Sequence, residues 1–243
     1  MKESLQPLKI VFTWDSKTYV RRNSYSKYKI KGPTTDEEKK LDDIARPQFD
    51  KLRDEILPGL GFADNHIAEG LEADDLIAKI TAETKGDYYY VVASRDNDLY
   101  QLLWKKCMIY DHVTKSIYTH WDFVEEWNME PSKWALVKAI AGCTSDKVEG
   151  IKGVGEKTAA KFINGSLSTS TKAHKSILDN KEVITRNLEL VMLPHPKTPD
   201  VKINSSRDEF DFMYFDSLCR KLNMRSFLSD RYFDRWVKQF ETE

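Results

Sequence analysis

Apolar positions fall into two rhythms along this chain, and the rhythm changes part-way. Residues 9–14 (Lys-Ile-Val-Phe-Thr-Trp) predict a buried strand with Asp15 at its carboxyl end, and 61–67 a connection with a possible strand. Residues 87–93 (Asp-Tyr-Tyr-Tyr-Val-Val-Ala) give the strongest strand signal, and 108–110 with 117–118 suggest a hairpin around Val113-Thr114-Lys115. Between them lie helical patterns: 36–57, entered through a capped turn at Thr34-Thr35-Asp36-Glu37-Glu38, disturbed near Pro47 and ended by Pro58-Gly59. Another is 71–84, with Leu71, Ile77 and Ile80 on one face, and a shorter one is 98–103. Strands alternating with helices predict an α/β fold with a mostly parallel central sheet flanked by helices. Beyond it the chain reads as helical, over 121–127, 131–141, 156–163, 181–192, 214–222 and 230–240. The Ser/Thr-rich stretch 166–171 reads as a loop and 193–201 as a proline-rich connector. This divides the chain into a region 1–130 and a helical region 131–243.

Acidic residues gather where these elements begin and end. Glu72, Asp74 and Asp75 crowd the amino-terminal end of the predicted helix 71–84, where the helix dipole favours them. Asp96 and Asp98 follow the strongest strand directly, and Asp15 follows the first; in open α/β sheets that edge is where sites form. An acidic first turn on an exposed helix is the plainer account of 72–75 taken alone. Two clusters converging in space would instead hold hard divalent cations, which take oxygen ligands.

At 243 residues, 40% hydrophobic and 32% charged, the chain can bury a large core. No apolar run is long enough to span a membrane, and the polar start is not a secretory signal. Cys107, Cys143 and Cys219 are widely spaced, which suggests reduced thiols in a cytoplasmic protein. The net charge of −1 argues weakly against a nucleic-acid partner. Residues 16–35 alter that picture, because they hold Lys17, Arg21, Arg22, Lys27, Lys29 and Lys31, no acid, and Tyr19, Tyr25 and Tyr28 between them. One sign of charge interleaved with tyrosines suggests a surface facing a polyanion.

Gly153-Val154-Gly155 opens the predicted helix 156–163, with Lys152, Lys157 and Lys161 around it. Bare backbone N–H groups at a helix start suit a phosphate. A P-loop would need Lys where Glu156 stands, and a dinucleotide fingerprint would need Gly at Thr158.

The order of these features resembles one family: Asp15, the basic stretch, Glu72-Ala73-Asp74-Asp75, Asp96-Asn97-Asp98, Ser145-Asp146 and Gly153-Val154-Gly155-Glu156-Lys157-Thr158-Ala159. It is similar to the flap endonuclease family, and within it to bacteriophage and bacterial 5′→3′ exonucleases. The resemblance implies hydrolysis of DNA phosphodiesters with two Mg²⁺ or Mn²⁺ ions held by Asp15, Glu72, Asp74, Asp75, Asp96, Asp98 and Asp146. It implies Arg22 and Lys29 beside the scissile phosphate, and Lys152, Gly153, Gly155, Lys157 and Thr158 gripping the duplex backbone through a helix–turn–helix, often around K⁺. DNA 5′ ends, flaps or branched duplex would be the partners, with an RNA–DNA hybrid as a further substrate and no membrane. A monomer is expected, in the host cytoplasm for a viral source. Two departures stand out. The family begins with a further strand ending in an Asp ligand, well upstream of the position of Asp15, which implies an N-terminally short chain. The family also commonly has Gly-Asp where this chain has Gly142-Cys143. Together they leave a catalytically weakened DNA-junction binder of the same fold as the alternative; a small toxin-like RNase is disfavoured by the Gly153-Val154-Gly155 turn.

Overall fold

The structure is a computed structural model and describes residues 7–16, 20–30, 35–82, 88–204, 206–229 and 232–234. Strand β1 (Phe12–Trp14) precedes the short helix α1 (Val20–Ser24). Helix α2 (Asp36–Lys51) continues through a π-helical turn, Leu52–Ile56, into Leu57–Gly59. Strand β2 (Asn65–Ile67), helix α3 (Ala73–Ala82), strand β3 (Tyr90–Ala93) and a 3-10 segment, Asn97–Leu102, come next. The hairpin β4 (Cys107–Asp111) and β5 (Ser116–Tyr118) leads into α4 (His120–Trp127) and α5 (Trp134–Ala141). A two-residue ladder of β6 (Gly142–Cys143) and β7 (Val148–Glu149) separates these from α6 (Glu156–Ile163), α7 (Lys172–Asp179), α8 (Lys181–Val191) and α9 (Phe212–Lys221).

The α/β class stands, and the second half is helical. The expected single sheet is replaced, among the described residues, by three small ones: β1 with β2, β3-β4-β5, and β6 with β7. Only three to five residues long in the first two sheets, the strands offer few ladder bonds each. The pair β3/β4 is parallel, with Val92 opposite Ile109, and β4/β5 is the expected hairpin, with Ile109 opposite Tyr118. Thr35 accepts from Glu38 N while Glu38 answers to Thr35 N, so α2 starts in a capping box. The helix passes Pro47, and its departure from α geometry comes a turn later, at Leu52–Ile56. Of the expected helix 230–240, residues 230–231 and 235–240 lie outside the described residues, as do Lys17, Tyr19, Lys31 and Asp87.

Contacts divide the described chain into two compact units. The first takes in 1–14, 33–66 and 202–243. In it the half-buried Lys9 joins Asp64 at 2.7 Å and Asp208 at 3.2 Å, beside an aromatic group of Phe12, Phe62, Phe210 and Phe215. The second unit, 15–32 and 67–201, contains every sequence-predicted site residue. Its core is built on Leu99, Phe123, Trp134, Val137 and Ile140, all at most 1% exposed. Trp134 also donates its indole N–H to Asn97 O at 2.6 Å, so the core fixes the segment that carries Asp98. No helix among the described residues is long and apolar enough to cross a membrane.

One buried ion pair ties the second unit together. Asp75 is fully buried on α3 and Arg21 is 3% exposed on α1. The guanidinium donates to both Asp75 oxygens, at 2.5 and 2.7 Å, and also to Leu190 O and Met192 O at the end of α8. Glu72 N and His195 N complete the carboxylate's shell. Burial works against the Asp75 charge, but the Arg21 guanidinium outweighs it and holds the carboxyl below its usual range. Removing one partner leaves the other charge buried and unpaired, at a cost of ~3–5 kcal/mol. Urea unfolding of Asp75→Ala and of Arg21→Ala should each show a loss of that size, while replacing both residues with apolar ones should cost less than either. Losses below ~1 kcal/mol, the level of an exposed pair, would show the pair to be incidental.

Candidate metal centre

The centre is assembled from the ends of several elements of the second unit. Asp15 Oδ1 accepts from Ala73 N at 2.8 Å and Ser16 Oγ from Gly70 N at 2.8 Å, which stitches the chain after β1 to the start of α3. That start presents Glu72, 5% exposed, and Asp74. The next piece is the turn after α1. Lys29 sits at φ 46°, its N–H bonded to Asp146 O at 2.8 Å. Arg22 donates to Tyr28 O and Lys29 O, which fixes this turn. From it Lys29 Nζ reaches Glu72 Oε2 at 2.9 Å and Asp146 Oδ1 at 3.6 Å, and the buried Tyr28 hydroxyl donates to Glu72 Oε2 at 3.1 Å and to Asp146 Oδ2 at 3.3 Å.

The other side comes from the end of β3 and from α5. Asp96 caps the 3-10 segment by accepting from Asp98 N at 2.8 Å. Lys138, on α5 and 5% exposed, joins Asp98 Oδ1 at 2.8 Å and Glu156 Oε1 at 2.9 Å. Cys143 Sγ lies 3.4 Å from Asp98 Oδ2. It and Asp146 sit on the β6–β7 hairpin, where Gly142 (φ 83°) faces Gly150 so closely that a Cβ on either would strike the opposite backbone. Two glycines are what allow this hairpin to close.

The carboxylates are held against their own repulsion. Burial raises the Asp74 pKa to about 7, with Asp96 as the next cause and Glu72 and Asp15 adding to it. Desolvation raises Glu72 as well, although Lys29 offsets part of it, and raises Asp96, with Asp98 and Asp146 contributing. Burial opposes the charges on Lys29 and Lys138, but the neighbouring acids prevail and hold both ammonium groups above the usual lysine value. Burial together with Asp98 and Asp146 pushes the Cys143 thiol up to about 11.

The structure therefore brings Glu72, Asp74, Asp96, Asp98, Asp146 and Lys29 into one electrostatic neighbourhood, with Asp15 at its margin. It sets Asp75 apart, because Arg21 and two backbone N–H groups occupy its oxygens. It also corrects the polyanion-facing reading of the basic stretch in part, since Arg21 and Tyr28 are buried inside the unit. Lys138 escaped the sequence reading, although a lone lysine in the apolar run Trp-Ala-Leu-Val-Lys-Ala-Ile-Ala was its signal. In the sequence Tyr28 stands out only as part of the basic stretch. The segment expected to meet phosphate forms a turn ahead of α6: Ile151 and Val154 are buried, while Lys152, Gly153, Gly155 and Lys157 are exposed and Thr158 is half-buried. Gly153 has φ 79°, and a Cβ on Gly153 or Gly155 would meet no described atom. Helix α6 starts there without a side-chain cap.

The donor set suits a divalent cation. Glu72 Oε1 is buried and accepts no hydrogen bond from any described residue. Asp98, Cys143 and Asp146 offer donor atoms that all lie within 4.8 Å of one another. Oxygen-rich donor sets of this kind suit hard divalent cations, and the thiol is the one soft member.

Comparison with known proteins points the same way. The family model described as "5'-3' exonuclease, N-terminal resolvase-like domain" matches residues 1–128. A 5′-3′ exonuclease of Mycoplasmopsis pulmonis is 33% identical over 194 residues, covering 71% of this chain and 60% of the relative. A 5′-3′ exonuclease of Bacillus subtilis is 36% identical over 168 residues, covering 66% and 53%. The chain thus spans less than two thirds of the length of either relative. Among solved structures, the T5 5′-exonuclease with bound zinc superposes with a TM-score of 0.66 at 25% identity, over 79% of this chain and 77% of that one. The bacteriophage T5 flap endonuclease, in a pseudo-enzyme–product complex with DNA and metal ions, shares the fold with a TM-score of 0.64 at 22% identity, over 98% and 85%. With a family model covering more than half of its length, this chain belongs to the 5′-3′ exonuclease family.

Proposed function

We propose that the protein is a divalent-metal-dependent 5′→3′ exonuclease and structure-specific flap endonuclease that hydrolyses DNA phosphodiesters. The observation that carries this reading is the convergence of Glu72, Asp74, Asp96, Asp98 and Asp146 on a neighbourhood where, among the described residues, Lys29 and Lys138 make the direct ion pairs. Residues 1–130 would supply most of the nuclease centre. Residues 131–243 would supply Asp146 and the turn at 152–158 that grips duplex DNA, with K⁺ as a candidate ion there. We place its substrates among DNA 5′ ends, flaps, branched duplex and RNA–DNA hybrids, and expect a cytoplasmic monomer.

Glu72, Asp74, Asp96, Asp98 and Asp146 would hold Mg²⁺ or Mn²⁺, with Asp15 at the margin; Asp75 would keep α3 in place. Bound divalent cations supply Lewis-acid polarisation of the phosphodiester and a water acidic enough to attack it. Lys29 is kept charged beside Glu72 and Asp146, where its ammonium would neutralise charge building on the phosphate. Arg22 would act by holding the Tyr28–Lys29 carbonyls, and so the aim of Lys29. The exposed N–H groups and lysines at 152–158 would take backbone phosphates, which makes recognition one of DNA structure rather than sequence.

Two outcomes follow. With a labelled 5′-flap duplex, Mg²⁺ or Mn²⁺ should give cleavage that excess chelator abolishes. Asp74→Asn and Asp146→Asn should each slow it by ~10²-fold or more, and Lys29→Ala by ~10²–10³-fold. Metal-independent cleavage, or full rates in all three variants, would refute the assignment. For binding, affinity for the flap measured in Ca²⁺ should fall with salt at a log–log slope of roughly −0.9 per phosphate contacted. Lys157→Ala should make that slope shallower by about one contact and weaken all sequences alike. A loss confined to one sequence would contradict backbone recognition.

A further inference from the structure

Cys143 occupies a place in this centre that the reactions of a free thiol do not explain. Its residue is 4% exposed, too buried for ready modification. Its Sγ lies 3.4 Å from Asp98 Oδ2 and 3.0 Å from Ser145 Oγ. The sulfur, an Asp98 oxygen and an Asp146 oxygen are mutually within 4.8 Å, the span of a single ion's ligand shell. Asp98 Oδ1 is ion-paired with Lys138 at 2.8 Å but is buried and accepts no hydrogen bond from any described residue, while Oδ2 accepts one from the Cys143 thiol. Cys143 sits on the hairpin that the close approach of Gly142 and Gly150 shapes. The Asp98 oxygen that accepts no hydrogen bond is the second observation that points to a ligand here, and in the adjoining half Glu72, 5% exposed, likewise leaves Oε1 without a hydrogen bond from any described residue. Its other oxygen shares the Tyr28 hydroxyl and the Lys29 ammonium with Asp146, which places this carboxylate beside the cluster.

We infer that Cys143 is itself a metal ligand, so that Asp98, Cys143 and Asp146 form a mixed thiolate–carboxylate subsite that takes borderline divalent cations such as Co²⁺ or Zn²⁺ ahead of Mg²⁺. The inference rests on the reading of this region as a divalent-metal centre and deepens it. A thiolate is a poor partner for Mg²⁺ and a good one for Zn²⁺ or Co²⁺, and affinity at a given site rises across the first-row divalent metals. Carboxylates without a sulfur neighbour, Glu72 and Asp74, keep the hard-cation character. The centre therefore has two unlike halves. On binding, the thiol gives up its proton to solvent and the sulfur donates to the metal.

The test is a Co²⁺ titration of the full chain after chelator dialysis, followed in the near ultraviolet and by melting temperature. One thiolate-to-cobalt charge-transfer band should grow and saturate at one equivalent. Cys143→Ser and Cys143→Asp should lose the band and bind Co²⁺ about tenfold or more weakly, while Mn²⁺ still raises their melting temperatures. Cys107 and Cys219 remain in both variants, so loss of the band assigns the sulfur. If either variant fails to fold, the other and the wild-type spectrum still decide. A wild-type chain that is stabilised by Mn²⁺ or Co²⁺ without any such band would overturn the thiolate ligand and leave the nuclease reading intact. A band that persists in Cys143→Ser would overturn it too. No response to any divalent cation would bring down the metal-centre reading itself, and the inference with it.

Discussion

Like charges cannot be gathered without a counter-charge, and that constraint organises the second unit. Two carboxylates 4 Å apart repel by about 4 kcal/mol at an effective dielectric constant near 20. Glu72, Asp74, Asp96, Asp98 and Asp146 are brought together from α3, the end of β3 and the β6–β7 hairpin. Among the described residues the relief is partial. Lys29 bridges Glu72 and Asp146, and Lys138 bridges Asp98 and Glu156, while Asp74 relies on holding its proton to about pH 7. The remaining deficit of positive charge is what a divalent cation would supply.

Against this, Asp75 shows how the same chemistry serves structure. One residue beyond Asp74, it points into the core and meets Arg21, which also holds the carbonyls at the end of α8. The pair therefore links α1, α3 and the connector carrying His195. Sequence neighbours on one helix turn are separated by direction: successive positions rotate about 100°, so one acid joins the open cluster and the next is buried.

Much of this was legible in the chain. Apolar patterning located α3, α4, α5, α6 and α8, and the β4–β5 hairpin, because each turns apolar residues such as Leu76, Phe123, Val137, Ala159 and Leu190 into the core. α7 follows the Ser/Thr-rich stretch 166–171 and carries few large apolar residues, with Ile177 buried, although Thr171 caps it through His174 N. α1 was hidden for a related reason: its buried residue is an arginine, whose burial depends on an acid 54 positions away. The acids of the centre were found because they cluster locally. Lys138, Arg21 and Tyr28 take their meaning from long-range partners that no local pattern displays, and the separation of Asp75 from Asp74 is likewise set by tertiary packing.

A divalent cation would complete this strained set of carboxylates, and linkage between protons and metal tests that most directly. Asp74 has a folded-state pKa of about 7, above the ~4 expected when unfolded. Such a raised carboxyl stabilises the metal-free fold fully below ~4 and loses that contribution progressively as pH rises to about 7. A cation needs the ionised form, so its stabilisation must grow over the same window. Equilibrium unfolding across pH, with Mg²⁺ or Mn²⁺ and with chelator, should give two curves that diverge from about pH 4 and run parallel above about 7. Asp74→Asn should flatten the divergence. Coincident curves at every pH would contradict the account.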